Sequence, residues 1–391
     1  MNRYLLLIFS LTITFCSINS ETSNTAEDII FSDDVFSNES TVSTTTQPSI
    51  ESTVSTTTQP SIPLHMQTSS NYAEIFFMSD IPEKVEQNFR NAFQRVQNKW
   101  GIYPSVVWVV GLNEQAMIDF AETYCEFKDK NEELWYQNFK DKDDCISKKL
   151  RTDNTWDFPY YRDFGINNTY SNSMRKGHNG WIEVGYHEFA WSYPVGFENN
   201  YDEDGFDGEY AGIAHEYFHG VQLAHMDIES AYKNMQPTWF TEGSATFMAQ
   251  VYKQELHVQG VLVSPSTLEE EMYGRYYSGE KDKVNCPDKT LGELSVENTA
   301  TADLCMRVVY DWGMWAIAYL SHLANDPYIT LNTYYPSLKN TKSHEVTFYE
   351  VFGLSMSDFE NQFESWIKLS ESERNVVIPK INPETGLAYY P

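Results

Sequence analysis

Ala214-His215-Glu216-Tyr217-Phe218-His219 sets two histidines four positions apart, with a glutamate directly after the first. On a helix, residues four apart lie about 40° round from each other, so both imidazoles can reach one ion. Glu216 is one step round from His215, which aims its carboxylate at the open side of such an ion. There it can take a proton from water and later pass it to a leaving amine. Two nitrogen ligands fit zinc, whose catalytic sites take three protein ligands and leave the fourth position to water. The spacing therefore predicts a zinc centre on a helix, and that centre needs a third ligand. The plain alternative is a helix that carries two histidines and no metal.

Two residues compete for the third place. Glu242 lies in Trp239-Phe240-Thr241-Glu242-Gly243-Ser244-Ala245, separated from His219 by 22 residues, and His225 lies six positions after His219. The W-[LF]-x-E-G-x-A form around Glu242 resembles the gluzincin metallopeptidases, the thermolysin-like group, and their aminopeptidases in particular. The resemblance implies a second helix that brings Glu242 to the zinc, with Gly243 and Ala245 small enough for it to pack against the first. His225 instead matches the metzincin spacing H-E-x-x-H-x-x-G-x-x-H, in which the glycine permits a sharp turn. Here Gln222 stands at the glycine position and no downstream segment reads as a Met-turn. Glu242 is the expected ligand, and His225 is the alternative.

Val309-Tyr310-Asp311-Trp312-Gly313 is similar to the Y-[DE]-x-G of gluzincin aminopeptidases. The resemblance implies that the Tyr310 hydroxyl donates to the oxyanion as it forms. A core tyrosine is the competing reading, because Trp312, Trp315 and Tyr319 are close by in sequence. The chain also departs from the family. It lacks the G-x-M-E-N that anchors a substrate amino terminus. The aspartate expected four residues after the glutamate ligand is Thr246, which leaves the support of the histidines open. The resemblance covers about 79–367 and is strongest over 208–249. No G-x-S-x-G elbow, P-loop or Rossmann glycine run offers a competing chemistry.

These residues need elements to hold them. Val85, Phe89, Phe93 and Val96 form one helical stripe over 81–100, with Pro82 in the first turn and Gly101 at the end. A buried strand is expected at 106–110, a helix at 114–127 and a strand at 181–186. The segment 180–185 could line the cleft as an edge strand that pairs with substrate backbone. The acidic run 201–209 leads into the metal helix at 210–224. Its Asp202, Asp204 and Asp207 either hold calcium or favour the helix's positive end. Further helices are expected from about 239, over 306–323 and over 356–367. The class is α+β. By the resemblance, it is a two-lobed zincin: a small mixed sheet and the metal helix over about 71–226, then a mostly helical lobe over 227–391.

The N-terminal part has another character. Residues 1–20 read as an export signal, with Arg3 before an apolar stretch and small residues at Ser17 and Ser20. An uncleaved anchor, or a lipid anchor at Cys16, is the alternative. Residues 21–70 read as a Thr/Ser/Pro-rich disordered stalk in which ESTVSTTTQPSI occurs at 39–50 and again at 51–62. N-glycosylation sequons begin at Asn38 and Asn167. Four cysteines follow the leader, and local pairing gives Cys125–Cys145 and Cys286–Cys305. A formal net charge of -29 argues against nucleic acid as a partner. The expected protein is a secreted, zinc-dependent peptidase acting on peptide or protein. The competing class is a zincin-like extracellular binding module without activity, which has no use for the Glu216 carboxylate.

Overall fold

Ser105-Val106-Val107-Trp108-Val109 is a nearly unbroken β-branched and aromatic run, and all five residues are buried. Such a run suits a strand covered on both faces, and it forms the centre of the sheet. The computed structural model describes residues 66–131, 139–152, 157–167, 172–174, 186–198, 203–226, 236–263, 266–296 and 305–391. The predicted leader and nearly all of the predicted stalk lie outside these residues. The described residues fall within one compact unit.

The main sheet has β1 (Glu74–Phe77), β2 (Ser105–Val109), β3 (Asn172–Met174) and β4 (His187–Trp191) in the order β1-β2-β4-β3. β1 and β4 pair parallel to β2, and β3 closes the edge antiparallel to β4. β4 is one residue beyond the strand expected at 181–186, of which 181–185 lie outside the described residues. It begins with two polar residues, which hid it from the alternation pattern. Both are buried, and Glu188 is satisfied by Lys128 Nζ at 3.0 Å and the Trp108 indole N–H at 2.9 Å.

Helix α1 (Glu83–Trp100) covers one face through Phe89 and Phe93, which meet Phe77, Phe189 and Trp191 edge-on. Pro82 is the N-cap rather than part of the first turn, and Gly101 ends the helix at φ 103°. Helix α2 (Glu114–Asn131) covers the other face, packing Phe120, Tyr124 and Phe127 around Trp108. It continues four residues past the expected end. Helix α3 (Lys142–Lys149) carries Cys145, which bonds Cys125 of α2 as expected. Helices α4 (Phe158–Ile166) and α5 (Val195–Glu198) flank β3 and β4 in sequence.

Helix α6 (Glu203–Ala224) holds the two histidines and lies on the same sheet face as α1. Its Tyr217 stacks on Phe189 and meets Phe93 edge-on. The Tyr217 hydroxyl donates to the Gly101 carbonyl at 2.6 Å and accepts the Tyr103 N–H at 3.2 Å. Phe218 packs against Trp100 and Tyr335. The two variable positions of the histidine motif thus lock the helix to its surroundings.

The rest is mostly helical. Helices α7 (Thr238–Val258), α8 (Leu268–Lys283) and α9 (Leu291–Val296) come first. A π-helical turn at Val308–Trp312 then leads into α10 (Gly313–Leu323), and a second at Thr330–Tyr334 leads into α11 (Tyr335–Thr341). Helices α12 (His344–Phe352) and α13 (Met356–Trp366) follow, each with a serine N-cap. Cys286 bonds Cys305, again as expected. Among the described residues, no helix is long and apolar enough to cross a membrane. The packed part starts before the expected boundary at 71: Met66 is buried, its carbonyl accepts Lys339 Nζ, and the Ser69 N–H donates to Ile102.

Candidate metal centre

Helix α7 is buried along almost its whole length and packs against both α6 and α10. Trp239 stacks on Phe359, while Phe240 inserts between Tyr334 and Phe348. This anchoring places the first turns of α7, and Glu242 on them, beside the histidine pair.

His215 Nε2 and His219 Nε2 are 3.2 Å apart. Glu242 Oε2 is 3.3 Å from the first and 3.2 Å from the second. A tetrahedral ion with bonds of about 2.0–2.1 Å sets its donors roughly 3.3–3.4 Å apart. Two imidazole nitrogens and one carboxylate oxygen at these separations fit a zinc ion in both size and chemistry. All three side chains are nearly buried. Burial by itself would raise the Glu242 carboxyl, but His219 and His215 outweigh it and hold it well below the usual carboxylate range. Among the described residues this is the one group of histidine, cysteine or acidic side chains with metal-like geometry.

The far sides of the rings are also held. The Gln222 amide donates through Nε2 to the Thr241 carbonyl at 2.8 Å, so its Oε1 faces His219 Nδ1 at 2.8 Å. An amide oxygen can only accept, so His219 Nδ1 carries a proton, which leaves Nε2 as the nitrogen that would face a metal ion. Thr246 Oγ1 is 3.3 Å from His215 Nδ1. Thr246 therefore stands against the histidine where the gluzincin pattern has an aspartate. Gln222, noted in the sequence only as a missing glycine, supports the other histidine. Its signal was positional: three residues after His219, it lies on the same helix face.

His225 is elsewhere. Its Nδ1 donates to the Val221 carbonyl at 2.8 Å, its ring meets Tyr103 edge-on, and burial pushes its pKa down. The structure brings Glu242, and not His225, to the pair.

Glu216 follows His215 on α6 and is partly exposed. Tyr310 lies in the π-helical turn, where Val308, Val309, Asp311 and Trp312 are buried and Tyr310 is the partly exposed member. Wide π-turns of this kind recur at functional sites. Asp311 is tied to Arg275 of α8 at 3.0 Å, a contact that sequence reading missed. Of the calcium candidates, Asp202 lies outside the described residues, and Asp207 is buried within α6 rather than in a loop. The segment 180–185, expected to line the cleft, is also outside them. The sheet edge beside α6 is β3.

No family model, curated protein or solved structure matches the chain.

Proposed function

We propose that the chain is a zinc-dependent peptidase of the gluzincin type, exported from the cell and acting on peptides or proteins. The observation that carries this reading is the meeting of His215 Nε2, His219 Nε2 and Glu242 Oε2 at 3.2–3.3 Å, with Glu216 next to the first histidine. On this reading the sheet and α6 form one lobe of a zincin and the helices from α7 onward form the other. The two disulfides favour an oxidising compartment.

A bound zinc ion supplies Lewis acidity, which acidifies water and polarises a carbonyl. The chain's own residues do the rest. Glu216 accepts the proton of the attacking water and delivers it to the leaving amine. Tyr310, as a neutral phenol, donates a hydrogen bond to the carbonyl oxygen as that oxygen becomes negative. Tyr217 and Phe218 keep α6 from rotating and so keep both histidines in register.

The test is metal content together with peptide cleavage. The purified protein is expected to retain about one zinc per chain and to cleave members of a peptide library. Glu242→Ala should lose the metal and His225→Ala should keep it. A parent protein that binds no zinc when it is supplied would remove this reading. Retention by Glu242→Ala with loss by His225→Ala would replace it with a metzincin-like site.

A further inference from the structure

Gln222 is 1% exposed and makes two different hydrogen bonds. Its oxygen accepts the Nδ1–H of His219, and its nitrogen donates to the carbonyl of Thr241, the residue directly before Glu242. One planar amide therefore touches a ring of α6 and the backbone of α7 at the point from which Glu242 projects. Behind this link, the Tyr335 phenol donates to Gln236 Oε1 at 3.3 Å. Gln236 in turn accepts from the Thr241 hydroxyl at 3.4 Å.

We propose that Gln222 is a positioning residue that couples the two halves of the metal centre, setting the tautomer of His219 and the place of Glu242 through one side chain. This inference rests on reading the three residues as a metal centre. The chemistry asks for an amide. A carboxylate at 222 would accept from His219 but could not donate to the Thr241 carbonyl, and it would bring a second buried negative charge near Glu242. An apolar side chain would do neither job: it would leave the His219 N–H unpaired and break the link to the Thr241 carbonyl, which would keep only the bond within its own helix. Supporting groups behind metal-binding histidines typically govern affinity by about 10–100-fold.

The experiment uses the full chain and two variants, Gln222→Met and Gln222→Glu. The first readout is the His219 tautomer in metal-free protein with 15N-labelled histidine, by long-range proton–nitrogen NMR. The second is zinc affinity by competition with a chromogenic chelator, with the metal-free melting temperature as a check on folding. The parent should show His219 protonated on Nδ1. Gln222→Met should lose that single tautomer and bind zinc about 10–100-fold more weakly. Gln222→Glu should keep the tautomer yet recover only part of the affinity, because its link to Thr241 is broken. A folded Gln222→Met with the parent's tautomer and affinity would overturn the proposal. Full recovery by Gln222→Glu would overturn the coupling to Glu242. Should Gln222→Met fail to fold, Gln222→Glu alone decides, since the proposal requires its two readouts to separate. A parent that binds no zinc would remove the proposed function, and the tautomer readout would still judge Gln222.

Discussion

Gly243 and Gly313 touch backbone to backbone: a methyl group on Gly243 would come within 2.4 Å of the Gly313 carbonyl. Gly313 opens α10 directly after the π-turn that carries Tyr310, and Gly243 follows Glu242. The helix that supplies the carboxylate and the helix that supplies the tyrosine therefore cross at a point where neither has a side chain. Gly243→Ala should force them apart and cost about 1–3 kcal/mol or more. Zinc affinity should fall with it, because Glu242 moves with the backbone. Gly274→Ala in α8, where a methyl group meets nothing within 4 Å, is the control and should be neutral or slightly stabilising. Equal urea midpoints for the two variants would mean that the crossing tolerates a side chain.

Glu216→Gln should keep zinc and fold but lose most turnover, since an amide cannot accept the proton of water. Tyr310→Phe should also keep zinc, and it should lower kcat by roughly 10²–10³ with a smaller change in KM. A fully active Tyr310→Phe would return that residue to the core. Unimpaired cleavage by Glu216→Gln would sink the mechanism.

Burial pushes the Glu209 carboxyl up to about 8, despite hydrogen bonds from the Trp191 indole and the Gly196 N–H. Between the ordinary value of 4.5 and about 8, the native state holds a proton that the unfolded chain has released. In that window the group makes stability fall as pH rises. Glu209→Gln keeps an acceptor for one of the two donors and cannot ionise, so, whatever its starting stability, it should lose less than the parent between pH 5 and pH 8. Urea denaturation at the two pH values decides, and parallel losses would refute the buried, protonated carboxyl. On the acid side, burial lowers His344 from 6.5 to about 3. There the unfolded chain takes up the proton first, so this group makes stability fall as pH drops from about 6.5 toward 3.

The disulfides close short loops, with sequence separations of 20 and 19. Loops of that size contribute about 3 kcal/mol each in the chain-entropy model. Cys125→Ser/Cys145→Ser and Cys286→Ser/Cys305→Ser should each lower the urea midpoint by a comparable amount. Peptide mapping of the native protein that finds four free thiols would remove both bridges.

What the sequence determined by itself was local. The stripe Val85, Phe89, Phe93 and Val96 specifies α1, because a period of 3.6 leaves one buried face. The cysteine pairs were legible because short loops favour neighbours. The histidine pair was legible because its spacing is set by one helix turn. The rest needed partners distant in sequence. Strand β4 opens on His187 and Glu188, and inside the sheet Lys128 and Trp108 meet the Glu188 carboxylate. Glu242 and His225 were both open as third ligand from spacing alone, and only the packing of α7 against α6 brings one of them to the histidines. Gln222 read as a missing glycine until the fold set Thr241 opposite its amide. Hydrogen bonds between groups far apart in sequence leave no periodic trace in the chain, so only the folded chain reveals them.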